Sequence, residues 1–177
     1  FGESVAVIGC GGVGLNLIQA AALKSACPIV AIDCSESKKD LVFTAGASVF
    51  AAELKELGDK YDVIIDTTGN PGVISDAIAH LSGKGRMILV GQPAPGRGVE
   101  VMNAVNLFSG MGQTIKATQG GKTNPTEDIP RYVRMHKEGI LDIESFVTHR
   151  FKLDQVNEAF DLLRSGNAGR IIIEIGV

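Results

Sequence analysis

The segment Gly9-Cys10-Gly11-Gly12-Val13-Gly14 follows directly on the apolar run Ser4-Val5-Ala6-Val7-Ile8, and the next apolar run ends at an acid, Asp33. In order these read as a strand, a tight turn, a helix, a second strand and a carboxylate at its tip. Gly9 permits the turn, Gly11 lets the backbone approach a pyrophosphate, and Gly14 lets the helix sit close to the sheet, with Gly12 and Val13 completing the loop. The free N–H groups and partial positive charge at the start of the helix favour a diphosphate. A GxGxxG pattern alone is weak. Its place between strand and helix, with Asp33 nineteen residues after Gly14, favours a dinucleotide site over a purely structural glycine turn.

Bulk properties narrow the remaining classes. A chain of 177 residues with 45% hydrophobic content suffices for one well-buried core with a small appendage. The net charge of -3, from 17 basic and 20 acidic residues spread along the chain, provides no basic face for nucleic acid and no polybasic membrane patch. No apolar run reaches membrane-spanning length and no secretory leader is visible, so the expected setting is cytoplasmic, with small-molecule partners. Cys10, Cys27 and Cys34 lack CxxC spacing and are odd in number. They read as small apolar fillers, with a free thiol at Cys10 beside the turn as the alternative. The chain opens at Phe1 without an initiator Met, and the expectation is a piece of a longer polypeptide cut just before the dinucleotide unit.

Strand-like runs alternate with helix-like periodicity, which predicts an α/β fold: a doubly wound parallel sheet of about six strands with helices on both faces. The expected strands are 4–9, 26–33, 47–50, 63–66, 86–91 and 114–118. The fifth is read as buried on both faces. Expected helices follow Gly14, Ser35 and Pro71, the last extending to Leu81, with a further short helix at 104–108 and an amphipathic one at 129–137. A polar helix or turn is expected through Leu54 and Leu57, and Val99-Glu100-Val101-Met102 alternates like a half-exposed edge strand. The tail reads as strand 146–151, helix 154–165 and strand 170–175. It forms a short β-α-β return segment, so that residues 1–140 make the main domain and 141–177 the return.

Several stretches together resemble the medium-chain, zinc-type alcohol and sorbitol dehydrogenase family, in its coenzyme domain plus C-terminal return. They are Val7 to Leu15, Ala45-Gly46-Ala47, Asp66-Thr67-Thr68-Gly69, and the tail from Phe151-Lys152-Leu153 through Leu162-Leu163-Arg164-Ser165-Gly166 to Arg170. This resemblance implies a Rossmann sheet in which Gly9 to Gly14 hold the pyrophosphate and Asp33 accepts hydrogen bonds from the adenosine ribose. It places Lys38 beside that ribose, although an exposed helix lysine is the competing reading. Thr67, Thr68 and Gly69 would line the crest of the fourth strand. Val90, Gly91 and Gln92, with Ala117, Thr118 and Gln119, would meet the nicotinamide end. Arg170 would reach back to the phosphates, its alternative being a strand-end surface charge. Asp33 would repel a 2′-phosphate, which predicts NAD over NADP.

The same resemblance implies a catalytic zinc held in an N-terminal catalytic domain that precedes this segment, so the chain is expected to bind NAD without turnover and to carry no catalytic or metal residues of its own. His80 and His136 are expected on helices and His149 on a strand, none with a second ligand at metal spacing. Hydride transfer between NAD(H) and an alcohol, polyol or carbonyl substrate is the implied reaction, and a homodimer through edge strand 99–102 the implied assembly. The apolar positions Phe146, Phe151 and 171–173 are expected to face the absent domain. A zinc-independent reductase, an S-adenosylmethionine-dependent methyltransferase and a non-enzymatic NAD(H)-sensing domain remain open alternatives.

Overall fold

Two four-residue strands with no exposed position set the centre of the molecule: β1 (Val5–Ile8) and β2 (Ile29–Ile32) are buried throughout. Their unbroken apolar sequence is what a parallel strand covered on both faces requires. The computed structural model describes residues 1–56, 58, 60–101, 104, 105 and 110–176. In it β1 pairs in parallel with β2 on one side and with β4 (Tyr61–Asp66) on the other. β3 (Val49–Ala51), β5 (Leu81–Leu89) and β6 (Thr114–Ala117) complete a six-stranded sheet of order β3-β2-β1-β4-β5-β6. The strand order reverses beside β1, and the carboxyl ends of β1 and β4 therefore open a crevice, where such sheets take ligands.

Alternate residues of β1 serve opposite faces. Val5 and Val7 pack with Leu15 and Ile18 of α1 (Gly12–Leu23) and Val42 of α2 (Lys39–Thr44). Ala6 and Ile8 pack with Ile74, Ala77 and Ile78 of α3 (Pro71–Ile78). At the start of α3 the Asn70 side chain accepts a hydrogen bond from the Gly72 N–H at 3.0 Å. Pro71 occupies a first-turn position whose missing N–H costs nothing. Beyond β6 come α4 (Pro125–Lys137), β7 (Val147–Lys152), α5 (Val156–Ser165) and β8 (Arg170–Glu174), with β7 and β8 forming a separate parallel pair. Among the described residues no helix is long and apolar enough to cross a membrane.

Several expectations are corrected. Leu81 begins β5 and does not end α3, and β5 stops at Leu89, short of Val90 and Gly91. It is not buried on both faces. Arg86 is exposed and pairs with Glu3 at 2.6 Å, because the neighbour on its outer side, β6, is exposed along its whole length. α4 starts at Pro125, four residues before the expected 129; Pro125 reads as the end of the preceding loop, yet it sits in the first turn, where no N–H is needed. His80 lies in the turn beyond α3. Val99 to Val101 form no strand, the Glu100 N–H donating instead to Ser75 Oγ at 3.0 Å. Met102, Leu57 and most of the expected helix at 104–108 lie outside the described residues.

Phe146 is the largest correction. Expected to face an absent domain, it is 2% exposed and packs among Val7, Leu15 and Ile18. Phe151 and Ile171 to Ile173 remain half-buried. Near Phe146 the chain is clamped to α1 by Gln19, whose amide donates to the Asp142 carbonyl at 2.7 Å and accepts from the Asp142 N–H at 2.8 Å. Gln19→Ala would orphan both backbone groups, and a loss of about 1–3 kcal/mol is expected in chemical denaturation.

At the opposite end of the sheet from the crevice, Asp62 accepts from the Ser4 N–H and hydroxyl at 3.0 and 2.9 Å and from the Ser82 hydroxyl at 3.1 Å. These bonds, led by the Ser4 N–H, hold its carboxyl below the usual range despite an opposing effect of burial. A depressed folded value contributes stability above the unfolded value, about 4, that is lost as pH falls through the folded one. Asp62→Asn is therefore expected to flatten the acid side of the stability profile below about pH 4, as read by denaturation midpoints against pH.

Candidate functional site

At Gly9 the chain turns with φ +87, and its N–H donates to the Ile32 carbonyl at 2.8 Å, tying the turn to β2. Thr67 closes it from the other side: its hydroxyl donates to the carbonyls of Ile8 and Gly9 at 3.0 and 2.9 Å. This threonine thus braces the turn, while Thr68 Oγ1 donates to Asp66 Oδ1 at 2.6 Å. α1 begins at Gly12 with no side-chain cap and no acid in its first turn, so the N–H groups at its start are left for an anion. A Cβ built on Gly11 meets nothing within 4 Å. The backbone there faces open space.

Asp33 lies just beyond β2 and directly against this turn. Its Oδ2 accepts from the Cys10 N–H at 2.7 Å and from Lys38 Nζ at 3.0 Å, and its Oδ1 accepts from the Ser35 N–H at 2.9 Å. Lys38 is buried at 7% exposure, which removes the surface-lysine reading. It stands in a 3-10 turn, Glu36–Lys38, whose tighter winding brings it back onto a residue five positions earlier. The Ser35 side chain bonds Ser37 and Asn167 and caps nothing. Cys10 is fully buried with its thiol pushed up to about 12, first by desolvation and then by Asp33. Such a thiol is inert filler, as the apolar reading of Cys10 holds.

Arg170 comes from the far end of the chain. A Cβ on Gly12 would lie 3.3 Å from both Arg170 Cδ and Nη1, so the arginine side chain is laid along the glycine turn. Its backbone is pinned to the Phe146 carbonyl at 2.7 Å. The guanidinium has no carboxylate partner among the described residues. An uncovered helix start, an arginine beside it and an open face at Gly11 make a fitting cradle for a diphosphate.

Two hollows flank the turn. One of about 640 Å³ runs along Ile32, Asp33, Leu54, Thr68, Asn70 and Val73, on the β2 side. The other, about 270 Å³, lies at the ends of β5 and β6 among Val90, Gly91, Gln92 and Thr118. The expected residues Gly9 to Gly14, Asp33, Lys38 and Arg170 therefore converge, and Val90, Gly91, Gln92 and Thr118 form a second group beyond Gly69. Asp66 ends an apolar run just as Asp33 does, and its carboxylate accepts from the Thr68 hydroxyl and the Gly69 N–H at the end of β4, a position to which the sequence alone assigns no separate role. No group of three His, Cys, Asp or Glu side chains that could hold a metal occurs among the described residues.

The fold and crevice define a doubly wound α/β domain with a glycine-turn anion cradle at its switch point. The family model described as zinc-binding dehydrogenase matches residues 12–138, and the chain belongs to that family. It is 29% identical to S-(hydroxymethyl)glutathione dehydrogenase of Saccharomyces cerevisiae, over 98% of this chain and 48% of that protein. It is 30% identical to the NDMA-dependent alcohol dehydrogenase of Amycolatopsis methanolica, over 97% of this chain and 49% of that protein. A crystal structure of an alcohol dehydrogenase zinc-binding domain protein from Burkholderia ambifaria superimposes with a TM-score of 0.89 at 29% identity, covering 99% of this chain and 49% of that one. The chain spans about half the length of the curated relatives it matches. The expected zinc-type family and Rossmann-like fold are thereby borne out.

Proposed function

We propose that the chain is the NAD(H)-binding portion of a zinc-type medium-chain dehydrogenase that moves hydride between NAD(H) and an alcohol, polyol or carbonyl substrate. The observation that carries this reading is the Asp33 carboxylate held 2.7 Å from the Cys10 N–H of the glycine turn, within reach of the cradle made by the start of α1 and Arg170. Adenosine would occupy the larger hollow with its ribose hydroxyls on Asp33 and Lys38, and the pyrophosphate would lie on Gly11, Gly12, Val13 and Arg170. The nicotinamide would lie in the smaller hollow against Val90, Gly91, Gln92 and Thr118, with Thr67, Thr68 and Gly69 framing the passage between them.

Bound NAD supplies the hydride acceptor, and zinc, a Lewis acid toward the substrate oxygen, belongs to residues outside this chain. The residues present here bind and orient the dinucleotide, so binding without turnover is the expected behaviour of the chain alone. Isothermal titration is expected to show saturable NADH binding and much weaker NADPH binding, since a 2′-phosphate would meet the Asp33 carboxylate. Equal affinity for both, or none for NADH, would defeat the reading.

The proposal extends to organisation and assembly. Residues 1–140 form the cofactor domain and 141–177 the return that completes a catalytic domain, and two chains pair through the segment 99–102. Val99 and Val101 form no strand within the chain, yet both are exposed, and adjacent exposed apolar side chains make a surface that a second copy can cover, which supports the pairing. Light scattering is expected to give the mass of two chains, and a charged replacement, Val101→Lys, the mass of one.

A further inference from the structure

Asp66, the last residue of β4, is 0% exposed and touches neither of the two hollows through its carboxylate. Its Oδ1 accepts from the Thr68 N–H at 3.2 Å and the Thr68 hydroxyl at 2.6 Å, and its Oδ2 accepts from the Gly69 N–H at 3.0 Å. Its carbonyl accepts from the N–H groups of Val90 and Gly91 at 2.8 and 3.0 Å. One residue therefore holds the crest of β4 with its side chain and the crest of β5 with its backbone. Among the described residues no cation pairs with it. A buried carboxylate served only by neutral donors is an expensive way to end a strand, unless the position of those donors matters.

The joint it makes has no slack. A Cβ on Gly69 would stand 2.7 Å from the Gln92 carbonyl carbon and 2.8 Å from the Gln92 nitrogen, and one on Gly91 would stand 2.6 Å from the Thr67 carbonyl carbon. Two backbones touch here with no side chain between them. A shift of Gly69 is consequently passed straight to Gly91 and Gln92, which line the smaller hollow.

We propose that Asp66 is a positioning residue for the nicotinamide half of the dinucleotide: through Gly69 it sets where Gly91 and Gln92 stand. This rests on the NAD(H) reading above. The test compares NADH, which fills both hollows, with ADP-ribose, which lacks the nicotinamide, by titration of the wild-type chain, Asp66→Asn and Asp66→Ala. Asparagine keeps the shape but turns an amide N–H toward one of the donors. The expected result is that Asp66→Asn weakens NADH about tenfold more than it weakens ADP-ribose, and Asp66→Ala more again. The emission of bound NADH, which reports on the reduced ring alone, is expected to move toward that of free NADH.

A merely structural role would weaken both ligands by the same factor and leave the bound-ring emission as in the wild type, and that result overturns the proposal. So does unchanged NADH affinity. If Asp66→Ala does not fold, the ligand ratio of Asp66→Asn decides alone. A wild-type chain that binds neither ligand would mark the failure as that of the NAD(H) reading, and this proposal falls with it.

Discussion

Gly14→Val is expected to cost the chain at least about 3 kcal/mol in chemical denaturation, while Gly11→Ala, three positions earlier in the same turn, leaves stability almost unchanged. A Cβ on Gly14 would run into the Gly9 carbonyl, whose carbon lies 2.9 Å from its ideal position. That carbonyl belongs to the turn that joins β1 to α1, and neither can retreat, because Val7 and Leu15 on either side are both 0% exposed. Gly11 has φ -75 and nothing within 4 Å of its would-be side chain, so alanine fits there without strain. The methyl group would instead stand on the open face where a pyrophosphate is proposed to lie. NADH affinity is expected to fall by about tenfold or more in Gly11→Ala, with the melting temperature retained. The pair of variants separates the glycine that the fold needs from the one the ligand needs. An unchanged NADH affinity in Gly11→Ala would place the dinucleotide elsewhere.

How much of this was legible in the sequence depends on how local its cause is. β1 and β2 announce themselves because burial on both faces leaves no room for a polar residue, and the glycine turn does so because backbone contact leaves no room for a Cβ. β5 was misread because Ser82, Gly83, Lys84 and Gly85 look like a turn. Yet the strand continues through them, and Gly85 sits where a Cβ would be 2.9 Å from the Tyr61 carbonyl. The burial of Phe146 was not readable at all, being decided by docking against α1 through a residue 123 positions from Asp142.

The candidate site divides in the same way. Asp33 and the turn follow from motif spacing, whereas the approach of Arg170 to Gly12 was expected only by resemblance to a family. Its physical basis is tertiary, in the pairing of β7 with β8 and the bond from Arg170 to Phe146. Lys38 stood open between a ribose ligand and a surface charge because an i, i+5 ion pair has no helical signature. The 3-10 turn that creates it becomes visible only when the chain is folded.

Asp33→Ala carries the second large expected effect, and it acts on stability and binding at once. The variant strands the Lys38 ammonium at 7% exposure and leaves the Cys10 and Ser35 N–H groups without an acceptor. Breaking one side of a buried ion pair costs about 3–5 kcal/mol, most of it the cost of the charge left behind. If so, removing that charge too should return much of the loss: Asp33→Ala with Lys38→Met is expected to be more stable than Asp33→Ala alone, as a double-mutant cycle would show. Cofactor binding should not follow stability back. The double variant lacks the carboxylate that would take the ribose hydroxyls and the charge that would repel a 2′-phosphate. NADH affinity therefore stays low, and the preference for NADH over NADPH narrows even though the fold is restored. Calorimetry finding wild-type NADH affinity in the stabilised double variant would remove Asp33 from the site and reduce its ion pair with Lys38 to a strut between β2 and the turn that follows it.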